Sequence, residues 1–159
     1  MISPPIPAPN IEDIMRSIIV LTTTLIAAFC IGLAIPSATS KVTYFPARDV
    51  DAAFEKGAVL LNNGTYQIHA SRREAPGQVE VHVKDTDVIY MLAGSTTFVT
   101  GGTMVGGKPT APDEIRGTSV DGGETRTLNK GDVIVVPKGT PHWFKDVTGP
   151  LLYYVVKVQ

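Results

Sequence analysis

The chain has 159 residues and a formal net charge of −1, with 14 Lys and Arg scattered among 15 Asp and Glu. No basic run exists that could neutralise several phosphates, which excludes nucleic acid as a partner. The one cysteine, Cys30, rules out a disulfide framework within the chain, and no Gly-x-Ser-x-Gly elbow or phosphate loop supports acyl transfer or nucleotide hydrolysis.

Residues 18–35 form a largely apolar run without charge, preceded by Met15-Arg16 and followed by Pro36-Ser37-Ala38-Thr39-Ser40. A basic residue, an apolar core and small residues three and one before a cut read as a secretory signal ending after Ser40. The expected division is then an extension and signal over 1–40 and a folded domain over 41–159. The residues ahead of Met15 are proline-rich and acidic (Glu12, Asp13), wrong for the start of a signal, so translation begins at Met1 or Met15. An uncleaved membrane anchor is the competing reading, because the run approaches the shortest spanning helix. Phe29 stands where a lipoprotein signal needs a small residue, which argues against lipidation of Cys30. The expected location is secreted or periplasmic, or membrane-anchored with the folded domain outside the cytoplasm. A domain from Lys41 onward contains no cysteine and loses nothing in an oxidising compartment.

From Lys41 the pattern is nearly all strand, with weak helical character only over 50–55. Strands are expected at 59–61 and 66–70, joined by Asn62-Asn63-Gly64, an Asn-Gly pair of the kind that favours a primed hairpin turn. Further strands follow at 79–83, 88–92, 96–99, 126–128, 132–136 and 151–158. Short strands separated by Gly, Pro and Asn breaks imply an all-β sandwich or barrel. Side chains alternate along a strand, so Glu80 and His82 share one face while Val79, Val81 and Val83 take the other. The Gly-, Thr- and Pro-rich segment 101–123 reads as a long loop, either covering the barrel mouth or simply solvated. The run 151–158 is apolar on both faces, too much so for an exposed edge, and predicts a homodimer.

Near the C-terminus, Gly131-Asp-Val-Ile-Val-Val-Pro137-Lys-Gly139-Thr-Pro-His142 runs an apolar strand into a Pro-x-Gly turn that delivers a histidine. Pro137 in the second and Gly139 in the fourth position suit a type I turn. At average usage the Gly-Pro-Gly part alone recurs roughly once per four thousand start points. The spacing resembles the second signature of the cupin superfamily at every fixed position. The first signature is matched in a degenerate form by Glu80-Val-His82-Val-Lys-Asp-Thr-Asp87-Val-Ile-Tyr-Met-Leu-Ala-Gly94. There Glu80 stands where a histidine is expected and Asp87 where a glutamate is expected. A rival register with His82 first and Lys84 second leaves too short a gap before Asp87.

The resemblance implies a small double-stranded β-helix, or jelly-roll, barrel whose cavity receives Glu80, His82, Asp87 and His142. It implies a divalent transition metal (Fe, Mn, Zn, Ni or Cu) on these residues, with His69 as a further candidate ligand and Glu80 as either a ligand or the proton-moving catalytic group. The alternative is a metal-free barrel in which the same groups are hydrogen-bonded or solvated. The expected partner is a small, anionic organic ligand, for which Arg72-Arg73, Arg116 and Lys84 are candidate grips, because guanidinium holds carboxylate through two hydrogen bonds. Tyr90, Tyr66, Phe98, Trp143 and Phe144 are candidate aromatic wall residues, with Trp143 expected to point away from His142's cavity. Family functions range from dioxygenase, isomerase, decarboxylase and lyase to metal-free sensor or binding module.

Overall fold

Two strands far longer than the sequence pattern implies organise the fold. In the computed structural model, which describes Asn10, Glu12 and residues 41–159, β4 (Thr86–Thr100) and β11 (His142–Val158) run antiparallel along nearly their whole lengths. The expected strands 88–92 and 96–99 are thus one strand, bent at Gly94. Gly94 sits at φ 75°, and a Cβ there would come 2.7 Å from the carbonyl oxygen of Pro150. Only glycine lets the two strands approach and bend at that point.

Over its second half β11 lies between β4 and β2 (Tyr66–Arg73), so 151–158 is a central strand. Its apolar character on both faces therefore follows from its place inside the sheet. β2 pairs in turn with β1 (Ala58–Asn62). The hairpin between them forms as expected, but among the described residues no non-glycine residue has positive φ, so Asn63 does not take up the primed geometry. Gly64 supplies the positive φ of 86°, while the side-chain oxygens of Asn62 and Asn63 accept hydrogen bonds from the amides of Gly64, Thr65 and Tyr66. The weak helix extends to α1 (Ala47–Lys56), whose Phe54 meets the Tyr154 ring edge-on at 5.0 Å.

The segment 101–123 is not a loop. β5 (Thr103–Val105) pairs with β8 (Ser119–Asp121), while β6 (Lys108–Ala111) and β7 (Glu114–Gly117) form a hairpin. β7 docks on β3 (Val79–His82), satisfying an edge that would otherwise expose unpaired amides. β9 (Glu124–Asn129) and β10 (Val133–Val136) both pair with β4, on either side of its bend. The core is enclosed by Ile89, Met91, Phe98, Leu128, Val136, Phe144, Leu151, Tyr153 and Val155. The architecture is thus all-β, a curled sheet with a small second sheet.

Thr43–Gln159 form one compact unit. The candidate signal or anchor at 18–35 and its cut after Ser40 lie outside the described residues. Among the described residues no helix is long and apolar enough to cross a membrane.

Candidate functional site

Strand parity brings the polar residues inward. Glu80 on β3 stands opposite His142 on β11 and, on its other side, opposite Arg116 on β7. His82 stands opposite Glu114. Residues directly opposite across antiparallel strands present side chains to the same face, so these registers explain why β7 adds Glu114 and Arg116 to the group. Asp87 and Lys157 are register partners on β4 and β11.

The turn that launches His142 differs by one residue from the sequence expectation. The amide of Thr140 donates to the carbonyl of Pro137, at 3.1 Å, so Pro137 is the first turn residue and Gly139 the third, at φ 77°. That positive φ at the third position is the requirement of a type II turn. The Gly139 amide donates to the His82 carbonyl at 2.8 Å, tying the turn to the strand that carries the other histidine.

Glu80, His82 and His142 offer one ligand atom each within 4.8 Å of one another. Nε2 of each histidine lies 3.9 Å from Glu80 Oε2. Donors held 2.0–2.2 Å from one ion sit roughly 3–3.5 Å apart, so small rotations would close the set. His142 Nδ1 is 3.1 Å from the Thr140 carbonyl, which can only accept, so Nδ1 carries the hydrogen and Nε2 presents its lone pair to the group. Such a bond on the remote nitrogen is the usual support of a metal-binding imidazole. Burial lowers the His142 pKa, against the raising influence of the Thr140 carbonyl and of Asp87, and favours the neutral ring a metal needs. On chemistry and geometry the residues fit a divalent transition metal.

Asp87 Oδ2 lies 3.5 Å from His82 Nε2 and 3.9 Å from His142 Nε2, but both its oxygens also accept hydrogen bonds from Lys157, at 2.8 and 3.0 Å. Glu80 divides its two oxygens, with Oε2 toward the imidazoles and Oε1 toward Arg116 (3.4 Å) and Arg73 (3.8 Å). Arg116 also binds Glu114 through Nε. Burial pushes the Glu114 carboxyl up, but the hydrogen bond and charge of Arg116 outweigh it and leave the group below the ordinary range. His69 lines the same cavity yet stands apart from the three-ligand group, its Nε2 donating to Gln67 Oε1 at 3.0 Å. Burial and the nearby Lys157 lower its pKa.

The cavity measures about 210 Å³ and adjoins a recess of about 350 Å³, sharing His69, His82, Glu114 and Lys157 with it. A larger cleft of about 700 Å³ between β9 and β10 is lined by Arg126, Glu124 and apolar strand residues but no histidine. The histidines and carboxylates converge in the smaller space.

Several residues expected in the cavity lie outside it. Arg72 points to the opposite face of β2 from Arg73 and pairs with exposed Glu74. Tyr90 takes the outer face of β4, between Val133 and Tyr154 in register. Lys84 is exposed and paired with Asp113, and Tyr66 is exposed. Phe98 is core, 6.2 Å from the His142 ring, whereas Phe144 does line the cavity. Trp143 points away, as expected, and donates to the Gly77 carbonyl at 2.7 Å. Sequence reasoning did not assign roles to Lys157, Glu114, Ser71 or Tyr153, which also line the space. Lys157 carries the clearest signal, a lone charge on the inward parity of an apolar strand.

Among curated proteins no sequence matches this chain. Among solved structures it is similar to hydroquinone 1,2-dioxygenase from Sphingomonas sp. TTNP3, determined with 4-hydroxybenzoate bound. That match has 14% identity and a TM-score of 0.54, covering 76% of this chain and 81% of the other. It is similar too to BH2720 from Bacillus halodurans, at 13% identity and a TM-score of 0.51, covering 73% and 81%. Both likenesses concern the fold. The Cupin family model matches residues 32–159, and with both signature segments lining one barrel cavity, the chain belongs to the cupin family.

Proposed function

We propose that this cupin domain binds a divalent transition metal through Glu80, His82 and His142 and holds a small organic ligand beside it. The observation that carries the reading is the convergence of the two Nε2 atoms on one oxygen of Glu80. Two histidines and one carboxylate with open positions suit Fe and its neighbours in the first row. When bound, such an ion supplies Lewis acidity to a ligand oxygen. The chain's own residues do the rest. Arg116 holds Glu80 by its other oxygen, Thr140 orients His142, and Asp87 stands close enough to the imidazoles to take or return a proton of the ligand. The activity proposed is metal-assisted oxygenation, isomerisation or lyase chemistry. Metal analysis of protein purified without a His-tag tests it. One transition-metal ion per chain is expected, and none after reconstitution would refute it.

A second reading, a metal-free binding module, is favoured by the charge balance of the cavity, where Arg73, Arg116 and Lys157 face Glu80, Asp87 and Glu114. The same metal analysis separates the two.

We also infer a homodimer, supported by the exposed outer face of the sheet, where Val133 is 60% and Val135 56% accessible beside Tyr90. Export, with cleavage after Ser40, is supported by the order of residues 15–40 alone. N-terminal sequencing from the native host would find Lys41 first. A start at Met1 or Met15 in a membrane fraction would mean a tether instead.

A further inference from the structure

The cavity holds three cationic side chains, and two are engaged. Lys157 grips both oxygens of Asp87, and Arg116 bridges Glu114 and Glu80. Arg73 is different. Its Nε is buried without a hydrogen-bond partner, and the Glu80 oxygen 3.8 Å from its Nη2 lies beyond hydrogen-bonding reach. Leaving such a donor unmet costs about 1–3 kcal/mol, and a carboxylate entering the cavity would meet the guanidinium at its terminal nitrogens, not at the buried Nε.

The guanidinium is also held in position. Its carbon lies 4.7 Å above the Phe144 ring, and its Nη1 packs so closely on Gly77 that a Cβ there would displace it. Ser71 and Tyr153 are register partners, and the Tyr153 hydroxyl stands beside both Ser71 and Arg73. Burial pushes the Tyr153 phenol up, so it remains an O–H donor at neutral pH. Ile89, Val155 and the Phe144 ring supply apolar surface next to these donors.

We propose that this wall seats the carboxylate of a small monocarboxylic acid. Arg73 takes the carboxylate, Tyr153 donates a further hydrogen bond, and the apolar body lies against Phe144, Ile89 and Val155 with its far end toward His82 and His142. The proposal rests on the reading of this cavity as a ligand site and names the ligand's class. A second carboxylate would meet Glu80 and Asp87, whose cationic partners are already committed, so a monoacid is favoured over a diacid. At about 30 Å³ per water, the cavity has room for roughly seven waters, the scale of an acid of about ten non-hydrogen atoms or fewer.

The test is calorimetric titration of the full chain with benzoate and with benzamide, its uncharged counterpart, in parallel with metal analysis. Benzoate is expected to bind at least tenfold more tightly than benzamide. Arg73→Gln should weaken benzoate at least tenfold with metal content unchanged, and Arg73→Lys, which keeps the charge and stem, should weaken it about threefold. Equal affinity for benzoate and benzamide would overturn the proposal, as would benzoate affinity undiminished in Arg73→Lys or in a folded Arg73→Gln. Arg73-dependent benzoate binding in a protein that takes up no metal would retain the seat and refute the metal reading. A metal-loaded protein whose benzoate binding ignores Arg73 would do the reverse.

Discussion

Lys157 holds Asp87 by both carboxylate oxygens, at 2.8 and 3.0 Å, across the two longest strands of the barrel. Both side chains are nearly buried, at 14% and 5% accessible. Removing one partner strands a buried charge, so Lys157→Met should destabilise the metal-free protein by about 3 kcal/mol in urea unfolding at pH 7. The same change removes a positive charge from beside the candidate metal ligands. Metal affinity is expected to rise, and titration calorimetry would detect a fall as a contradiction.

The ligand assignment predicts that His82→Ala and His142→Ala each lower metal content below a tenth of wild type. Circular dichroism should still report a strand-rich fold, because both side chains border a cavity as well as the core. Glu80→His restores the family pattern and should tighten metal binding. Unchanged metal content in both alanine variants would refute the site.

The metal-free protein should lose stability below about pH 6.5. Burial lowers the folded-state pKa of both His142 and His69 from 6.5, with Lys157 adding to the effect at His69. Below 6.5 the unfolded chain therefore binds more protons than the folded one, and stability falls until the folded-state values are passed. Above 6.5 these two groups contribute no slope. Thermal unfolding from pH 5 to 8 checks this, and His142→Gln should flatten the curve.

The signatures made the barrel and the convergence of Glu80, His82 and His142 legible because a Pro-x-Gly turn and strand parity are local devices. Glu80, His82 and His142 needed only alternation and a turn to be aligned. His69, Ser71 and Arg73 share one face of β2, yet Arg72 and Arg73 were expected to grip the ligand together. The failure lay in treating an Arg-Arg pair as one feature when a strand sends its members to opposite sides. The alignment of Glu114 and Arg116 with the other groups was hidden for another reason, although Arg116 was a candidate grip. Their segment looks like a loop, and only the open edge of β3 turns it into a strand in register with the site. Lys157 required knowing that the last strand is central.

The dimer prediction rests on the outer apolar face. Val135→Glu places a charge among Val133, Val88 and Tyr90, and should convert a dimer to a monomer by light scattering at micromolar concentration. A wild-type monomeric mass would refute the interface.

β11 pairs with β2, β3 and β4, partners that precede it by some forty to ninety residues, and it contributes both His142 and Lys157 to the cavity. Contacts of that separation close late and slowly, on a scale of milliseconds to seconds for β-rich domains. During synthesis the barrel therefore has a missing stave until 142–158 have emerged, and β2 and β4 wait with open edges. The cavity comes into being only as the barrel closes on this strand.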